Sequence, residues 1–476
     1  MRRNRSLGRV DAEFCCETNC WQGRKRMRLG VWVASLILAL ASTGAFAELP
    51  RYTIGEAIQI AHAHNPDVAI AEKKVVAARA GLVEARAGYL PAVVSSGRYA
   101  RRERQSDNNL RPEDYNANIR VIESLYSGGA TSSRMAIAQL NLEKAKAQLA
   151  AVIDRVTMEV RLAFYELLLN QERIRVREES VAVLQQELKS QQERFSAGTV
   201  GELNVRRAEV SLANEQPELI QARTELANSY LRLGELLGAP PEPSGEPSFV
   251  VSGELVYEPR HPDLNECLTR AKATRPELIA AAADIEIEGR QLQLDRSATK
   301  PSVQLFGGYE LYNERDPTLG REFNHGYVIG LNATWPLFDG FATRGKMQAT
   351  EARREAAVRA RDALRLSIEA EVRSAFLDLE QADRVLESEM KNVETAEESL
   401  EIAKGNLATG LGTQLDVLQS ASDLTRTRTT RLSATYLHNA ALARLDHACG
   451  GQPRLPGEGE AQALSPTQPP SSSGER

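Results

Sequence analysis

Apolar residues recur every seven positions over two unusually long stretches of this chain. Met135, Leu142, Leu149, Val156 and Ala163 form one series, and Val160, Leu167, Ile174, Val181, Leu188 and Phe195 form a second, displaced by four. A later stretch repeats the pattern with Val372, Leu379, Leu386, Val393, Leu400 and Leu407. A sustained heptad predicts helix packed along helix, and the four-residue displacement is a stutter that locally unwinds the supercoil. The first such helix is expected from about Gly129 to Phe195, roughly 100 Å at about 1.5 Å per residue. Gly198 and Gly410 punctuate the reversals, as glycine does where a helix ends in a left-handed conformation. The return helix keeps its own heptad in Val205, Leu212, Leu219, Leu226 and Leu233, and Pro217 within it is expected to kink it.

Two other stretches in each half alternate instead. Tyr327, Ile329, Leu331, Ala333 and Trp335 point one way, with Val328, Gly330, Asn332 and Thr334 opposite, and Val303, Leu305, Gly307 and Tyr309 alternate likewise. Val93 to Arg98 and Tyr115 to Leu125 fill the matching slots earlier, with weaker patterning. Each segment has the length of a tilted transmembrane strand, about nine to eleven residues. The polar connections, Gln105 to Asp114 and Tyr312 to Asn324, are expected to face outside. Four strands cannot close a barrel, and an open edge cannot sit in lipid. Three chains would supply twelve strands, an even number within the range of known barrels. The other reading is a pair of soluble hairpins capping a helical rod.

The chain is written twice. Asn65-Pro66 recurs as Arg275-Pro276 and Leu90-Pro91 as Lys300-Pro301, both 210 residues on; Leu125-Tyr126-Ser127-Gly128 recurs as Leu337-Phe338-Asp339-Gly340, 212 on. Each half reads helix, two strands, very long helix, tight turn, helix, with a first helix from about Thr53 to Gly88 opened by a Thr53-x-x-Glu56 capping box. The expected organisation is a leader over 1–47, repeat one over 48–239, a linker over 240–262, repeat two over 263–450 and a disordered tail over 451–476. The fold class is mainly α with a small transmembrane β part.

Composition narrows the function. Aromatics are only 5% of the 476 residues, too few for a large conventional core. Arg24-Lys25-Arg26-Met27-Arg28, the apolar run Leu29 to Leu40 and Ala45-Phe46-Ala47 read as a secretory signal peptide, with Met27 an alternative translation start. A retained membrane anchor is the other reading, disfavoured by the short apolar run. Removing eight basic and three acidic residues with the leader leaves 51 basic against 61 acidic, a balance unsuited to nucleic acid. Cys267 and Cys449 then remain, open either to a disulfide in an oxidising compartment or to staying as buried thiols. The histidines have no metal-ligand spacing, and there is no nucleophile motif or phosphate loop, so neither enzyme chemistry nor a cofactor nor a metal is expected.

In these motifs the chain resembles the TolC family of outer-membrane channels. Tyr52-Thr53-Ile54-Gly55-Glu56-Ala57 with Asn65-Pro66 resembles the family's first helix, and Leu125 to Gly129 and Leu337 to Gly340 resemble its strand-to-helix junctions. Arg194-Phe195-Ser196-Ala197-Gly198 and Gly405 to Gly410 resemble its two tip turns. The likeness covers about Leu49 to Cys449. It implies a homotrimer, with a twelve-stranded β-barrel in outer-membrane lipid above a twelve-helix tunnel through the periplasm. Its tip turns, with Gly198, Thr199, Leu203, Gly410, Leu411 and Leu415, would dock a periplasmic adaptor (membrane fusion) protein. An inner-membrane transporter of the RND or ABC class would supply the energy, for efflux or for type I secretion. A periplasmic coiled-coil adaptor or rod is the rival reading.

The resemblance also marks Asp416 as the acid lining the periplasmic constriction, where threefold symmetry would set three carboxylates around one axis. Thr413-x-x-Asp416 reads equally as a helix cap, and both roles can hold together. Gln419 stands where some members carry a second acid, Leu407 where a gate tyrosine is found, and Asn204 in the place of Asp416 in repeat one.

Overall fold

The computed structural model describes residues 49–101, 113–239, 247–257, 259–313 and 323–450. The leader over 1–47, the tail, most of both hairpin loops and part of the linker lie outside the described residues. Repeat one comprises β1 (Arg51–Tyr52), α1 (Ile54–His64), α2 (Pro66–Ala87), β2 (Ala92–Arg101), β3 (Glu113–Tyr126), α3 (Ala130–Ser196) and α4 (Glu202–Leu237). After β4 (Val250–Val251), repeat two comprises α5 (Leu264–Thr274), α6 (Pro276–Ser297), β5 (Ser302–Asn313), β6 (Phe323–Thr334), α7 (Ala342–Thr409) and α8 (Gln414–Ala448). The long helices α3 and α7 run for 67 and 68 residues.

The opening helix expected over Thr53–Gly88 is two helices. Its capping box is present: the Thr53 N–H donates to Glu56 Oε2 at 2.8 Å, and the Glu56 N–H donates to Thr53 Oγ1 at 3.4 Å. The break comes at Asn65, which is extended at φ −64°, ψ 129°. Pro66 has no N–H to continue the ladder and forces its predecessor out of the helical region. Asn65 Oδ1 then caps α2 by accepting from the Asp67 and Val68 N–H groups, while its Nδ2 donates to the Leu236 carbonyl at 2.9 Å. Arg275 and Pro276 break the second copy in the same way. By contrast α4 continues as one helix through Pro217.

The strands are longer than the alternation suggested. β3 begins at Glu113, β5 continues to Asn313 and β6 begins at Phe323, so each takes residues expected in the polar loops. Together they form one antiparallel sheet in the order β2-β3-β5-β6. Arg101 pairs with Glu113 in the first hairpin and Leu311 with His325 in the second, so the two-residue drift between repeats lies beyond these pairs, at the hairpin ends. A separate parallel pair joins β1 to β4, tying the start of the described chain to the segment that follows repeat one.

Each repeat builds its own core where the heptads converge. Val156, Val160, Ala163, Phe164 and Leu167 of α3 bury against Ala57, Ile58 and Ala61 of α1 and Leu233 and Leu237 of α4. In repeat two Ile368, Val372, Ala375 and Leu379 of α7 bury against Cys267, Leu268 and Ala271 of α5 and Leu445 and Cys449 of α8. Polar links sew α3 to α8 across the repeats. The buried Arg161 donates to Asp446 at 3.3 Å, and Arg428 donates to Glu179 at 3.0 Å while also reaching Glu397 of α7 at 2.8 Å.

Leu167 is fully buried at the centre of the first core. Leu167→Ala is expected to cost about 2–5 kcal/mol through lost burial and the cavity left behind. Equilibrium unfolding in denaturant reads that loss, and a change within error would show that this heptad layer does not carry the repeat.

Candidate functional site

Both long helices end in the same turn. The Gly198 N–H donates to the Phe195 carbonyl at 2.9 Å and the Thr199 N–H to the Arg194 carbonyl at 2.9 Å. The Gly410 N–H donates to the Leu407 carbonyl at 3.3 Å and the Leu411 N–H to the Asn406 carbonyl at 2.9 Å. This pair of bonds is the Schellman arrangement, which satisfies the last carbonyls of a helix and needs a left-handed residue. Gly198 and Gly410 supply it at φ 73° and 78°. Leu411, directly after Gly410, is 85% exposed, and Leu203 and Leu415 are exposed in the first turns of the helices that follow the two turns.

The two following helices start differently. In α8 the Thr413 N–H and hydroxyl both donate to Asp416 Oδ2, at 2.7 and 2.8 Å, and Thr413 Oγ1 accepts from the Asp416 N–H at 3.4 Å. In α4 the cap is Gly201, with no side-chain bond, and Asn204 sits at the third position. The bonds from Thr413 hold the Asp416 carboxyl below the ordinary carboxylate range, although it is fully exposed. The same bonds favour the ionised carboxylate, and the cap weakens as acid protonates it. Both bonds go to Oδ2, and Asp416 as a residue is exposed. Gln419 is exposed one turn later, and Leu407 is half-buried in the last turn of α7.

One contact near this end had no signal in the sequence. Glu187 of α3 accepts from Gln191 at 2.7 Å and from Gln414 of α8 at 3.4 Å. Gln191 and Gln414 are both buried, so amides on two helices converge on one carboxylate just behind the turns. Their isolated polar character gave no hint of pairing across more than two hundred residues.

At the opposite end the sheet separates its faces by residue parity. The pairing sets Ser95, Ile119, Tyr309 and Tyr327 in one row, and Gly307, Val121 and Ile329 in the next, so odd-numbered residues share one face. That face is apolar and bare: Tyr327 is 92% exposed, Ile329 82% and Leu331 60%. Aromatics cluster at its hairpin end, where Tyr115 packs on Tyr99 and Phe323. Trp335, Leu337, Phe338 and Phe341 lie exposed at the helix end. The even face is polar. Ser96 donates to Asn118, which donates to Asn116, and Arg120 is paired with Glu310 while lying over the Phe306 ring. Gly330 is directly opposite Phe306, whose ring covers the space a Cβ would need.

An apolar strand face with aromatic ends, a polar reverse face and helical hairpins about 100 Å long define the class. This is a subunit of an outer-membrane export channel. The profile of the outer membrane efflux protein family matches residues 57–239 and 267–451, and the chain belongs to that family. It is 26% identical over 398 residues to protein CyaE of Bordetella pertussis, covering 82% of both chains. It is 25% identical over 423 residues to outer membrane protein TolC of Vibrio cholerae, covering 87% of this chain and 94% of that one. The solved outer-membrane channel OprN superposes with a TM-score of 0.71 at 19% identity, covering 84% of this chain and 90% of that chain. The rod reading gives way to the channel. No helix among the described residues is long and apolar enough to cross a membrane.

Left-handed geometry, rather than space, dictates glycine at the second turn, because nothing lies within 4 Å of where a Gly410 Cβ would stand. Gly410→Ala is expected to destabilise the turn by about 1–2 kcal/mol, and Gly410→Asn by clearly less. Thermal melts of the two variants side by side check the order. Equal losses would assign the position to packing instead.

Proposed function

We propose that three copies of this chain close one twelve-stranded barrel in the outer membrane and continue as a twelve-helix tunnel through the periplasm. The observation that carries this reading is the sheet itself. β2 and β6 are its outer strands, each with one unpaired side, and its odd face is exposed hydrocarbon. Pairing β6 of one copy with β2 of the next satisfies the backbone and turns the odd face to lipid. The same closure covers a stripe of apolar helix residues left bare in one chain, including Leu366, Leu377, Ile402, Val210 and Ile220.

In this assembly the tip turns form the periplasmic mouth. Gly198, Thr199 and Leu203 of one hairpin and Gly410, Leu411 and Leu415 of the other present backbone turns and exposed leucines to a periplasmic adaptor protein. Asp416 lines the aperture with Oδ1 while Oδ2 caps its helix, so the capping and pore roles coexist in one side chain. The channel is a passive conduit of a tripartite efflux pump or type I secretion system, driven by an inner-membrane RND or ABC transporter. It performs no catalysis and needs no cofactor. Residues 1–47 serve as a cleaved leader, 240–262 as the segment linking the repeats and 451–476 as a tail.

Channel recordings in lipid bilayers test the aperture. Asp416→Ala should raise single-channel conductance and weaken block by divalent cations. An unchanged conductance and block would leave Asp416 with its cap alone. Because the Thr413 bonds favour the ionised carboxylate, Thr413→Ala should move the acid-induced loss of divalent block to higher pH than in the wild-type channel. Loss of block at the same pH in both channels would place the sensitive acid elsewhere.

A further inference from the structure

The internal repeat supplies its own control for two residues the channel reading does not use. Cys267 lies 210 residues after Ala57, and Cys449 lies 212 after Leu237, the offsets that relate the surrounding helices. Ala57 and Leu237 are buried in the first core, and Cys267 and Cys449 hold the equivalent places in the second. Thus one pair of neighbouring aliphatic positions in repeat one is a pair of cysteines in repeat two.

The two thiols touch. They lie within hydrogen-bonding contact of each other, and both are reduced in the structure. Arg270, one turn along α5, donates to Cys267 Sγ at 3.7 Å. Burial leaves the two cysteine residues only 3% and 1% exposed, yet both border a cleft of about 490 Å³ that also meets Arg260, Asp263 and Asp446. Burial and the neighbouring thiol push Cys449 up to about 12, so the folded dithiol exchanges slowly.

We propose that Cys267 and Cys449 are joined as a disulfide in the exported protein, stapling the first turns of α5 to the last turn of α8. The bond forms by thiol–disulfide exchange with a disulfide-bearing oxidant of the periplasm. The two cysteines lose two protons and two electrons as their S–S bond forms, and the oxidant's disulfide is broken and reduced to two thiols. Exchange runs while the chain folds, before burial suppresses the thiolates. The staple closes a loop spanning nearly all of repeat two. It fixes the ends of α5 and α8 next to the second core and leaves the tip-turn ends of α7 and α8 unconstrained. The proposal rests on the outer-membrane location and on the helical part being periplasmic, and not on the tip or aperture roles.

The test uses the full protein in isolated outer membranes. Free thiols are alkylated under denaturing conditions without reductant, and the chain is digested with trypsin for mass spectrometry. The expected product is residues 261–270 linked to 445–454, two hydrogens lighter than the sum of the separate peptides. Both peptides recovered mainly alkylated would overturn the proposal, whereas a protein missing from that fraction would instead contradict the location. A second measurement uses Cys267→Ala/Cys449→Leu, which copies the pair in repeat one. Reductant should lower the melting temperature of the wild-type protein by several degrees and leave the variant's unchanged. Equal responses in the two proteins would also count against the bond.

Discussion

Backbone hydrogen bonding in hydrocarbon is the constraint on which this molecule depends. Every N–H and C=O inside a bilayer needs a partner, and each unsatisfied group costs several kcal/mol. The four-stranded sheet leaves the outer sides of β2 and β6 unpaired. With strands of 10 and 12 residues, that debt is far larger than the net stability of an ordinary domain. The chain therefore cannot settle in lipid alone. The proposed closure by neighbouring copies gives a physical role to its bare odd face, its aromatic ends and its polar even face.

The helices obey the same logic in water. Heptads bury one side of each long helix within the chain and leave leucines, valines and isoleucines on the other side exposed. Near the two cores one face of α3 and of α7 is packed by the repeat partners. Towards the turns burial thins: Leu400 and Leu407 are half-buried and Phe195 is open. At this end buried Val205, Ala208, Val417 and Leu418 are joined by polar links, through Glu187 with Gln191 and Gln414 and through Arg428 with Glu179 and Glu397. Duplication supplied two similar hairpins, and local differences then specialised them. The capping box of Thr413 and Asp416 stands against Gly201 and Asn204, and Phe341 adopts φ 67° where repeat one has Gly129. A phenylalanine in that region carries backbone strain, and its exposed ring meets Phe338 edge-on at 5.4 Å.

Much of this was legible in the sequence because it is periodic. Heptads located α3 to within a residue or two and marked the course of α7, alternation located the strands, and the tandem motifs exposed the duplication. Gly198 and Gly410 were readable because a helix reversal has few solutions for the backbone. The break at Asn65 was missed although its cause, Pro66, was in plain view, since the apolar pattern runs on across it. The β1–β4 pair is too short to leave a pattern. The contacts that set the tip end, Gln414 on Glu187 and Arg428 on Glu179, join residues more than two hundred positions apart and have no local signature. Asp416 was legible as a cap from Thr413 alone; the aperture role proposed for it needs neighbouring copies and leaves no mark in a single chain.

The central claim, that a third of a lipid-facing cylinder must find two copies of itself, is tested most directly by the mass of the particle. The mature protein, extracted from outer membranes in mild detergent, can be weighed by native mass spectrometry after the detergent is stripped. The account predicts a species of three chains that dissociates only on unfolding. A stable single chain that stays in solution without detergent would contradict it.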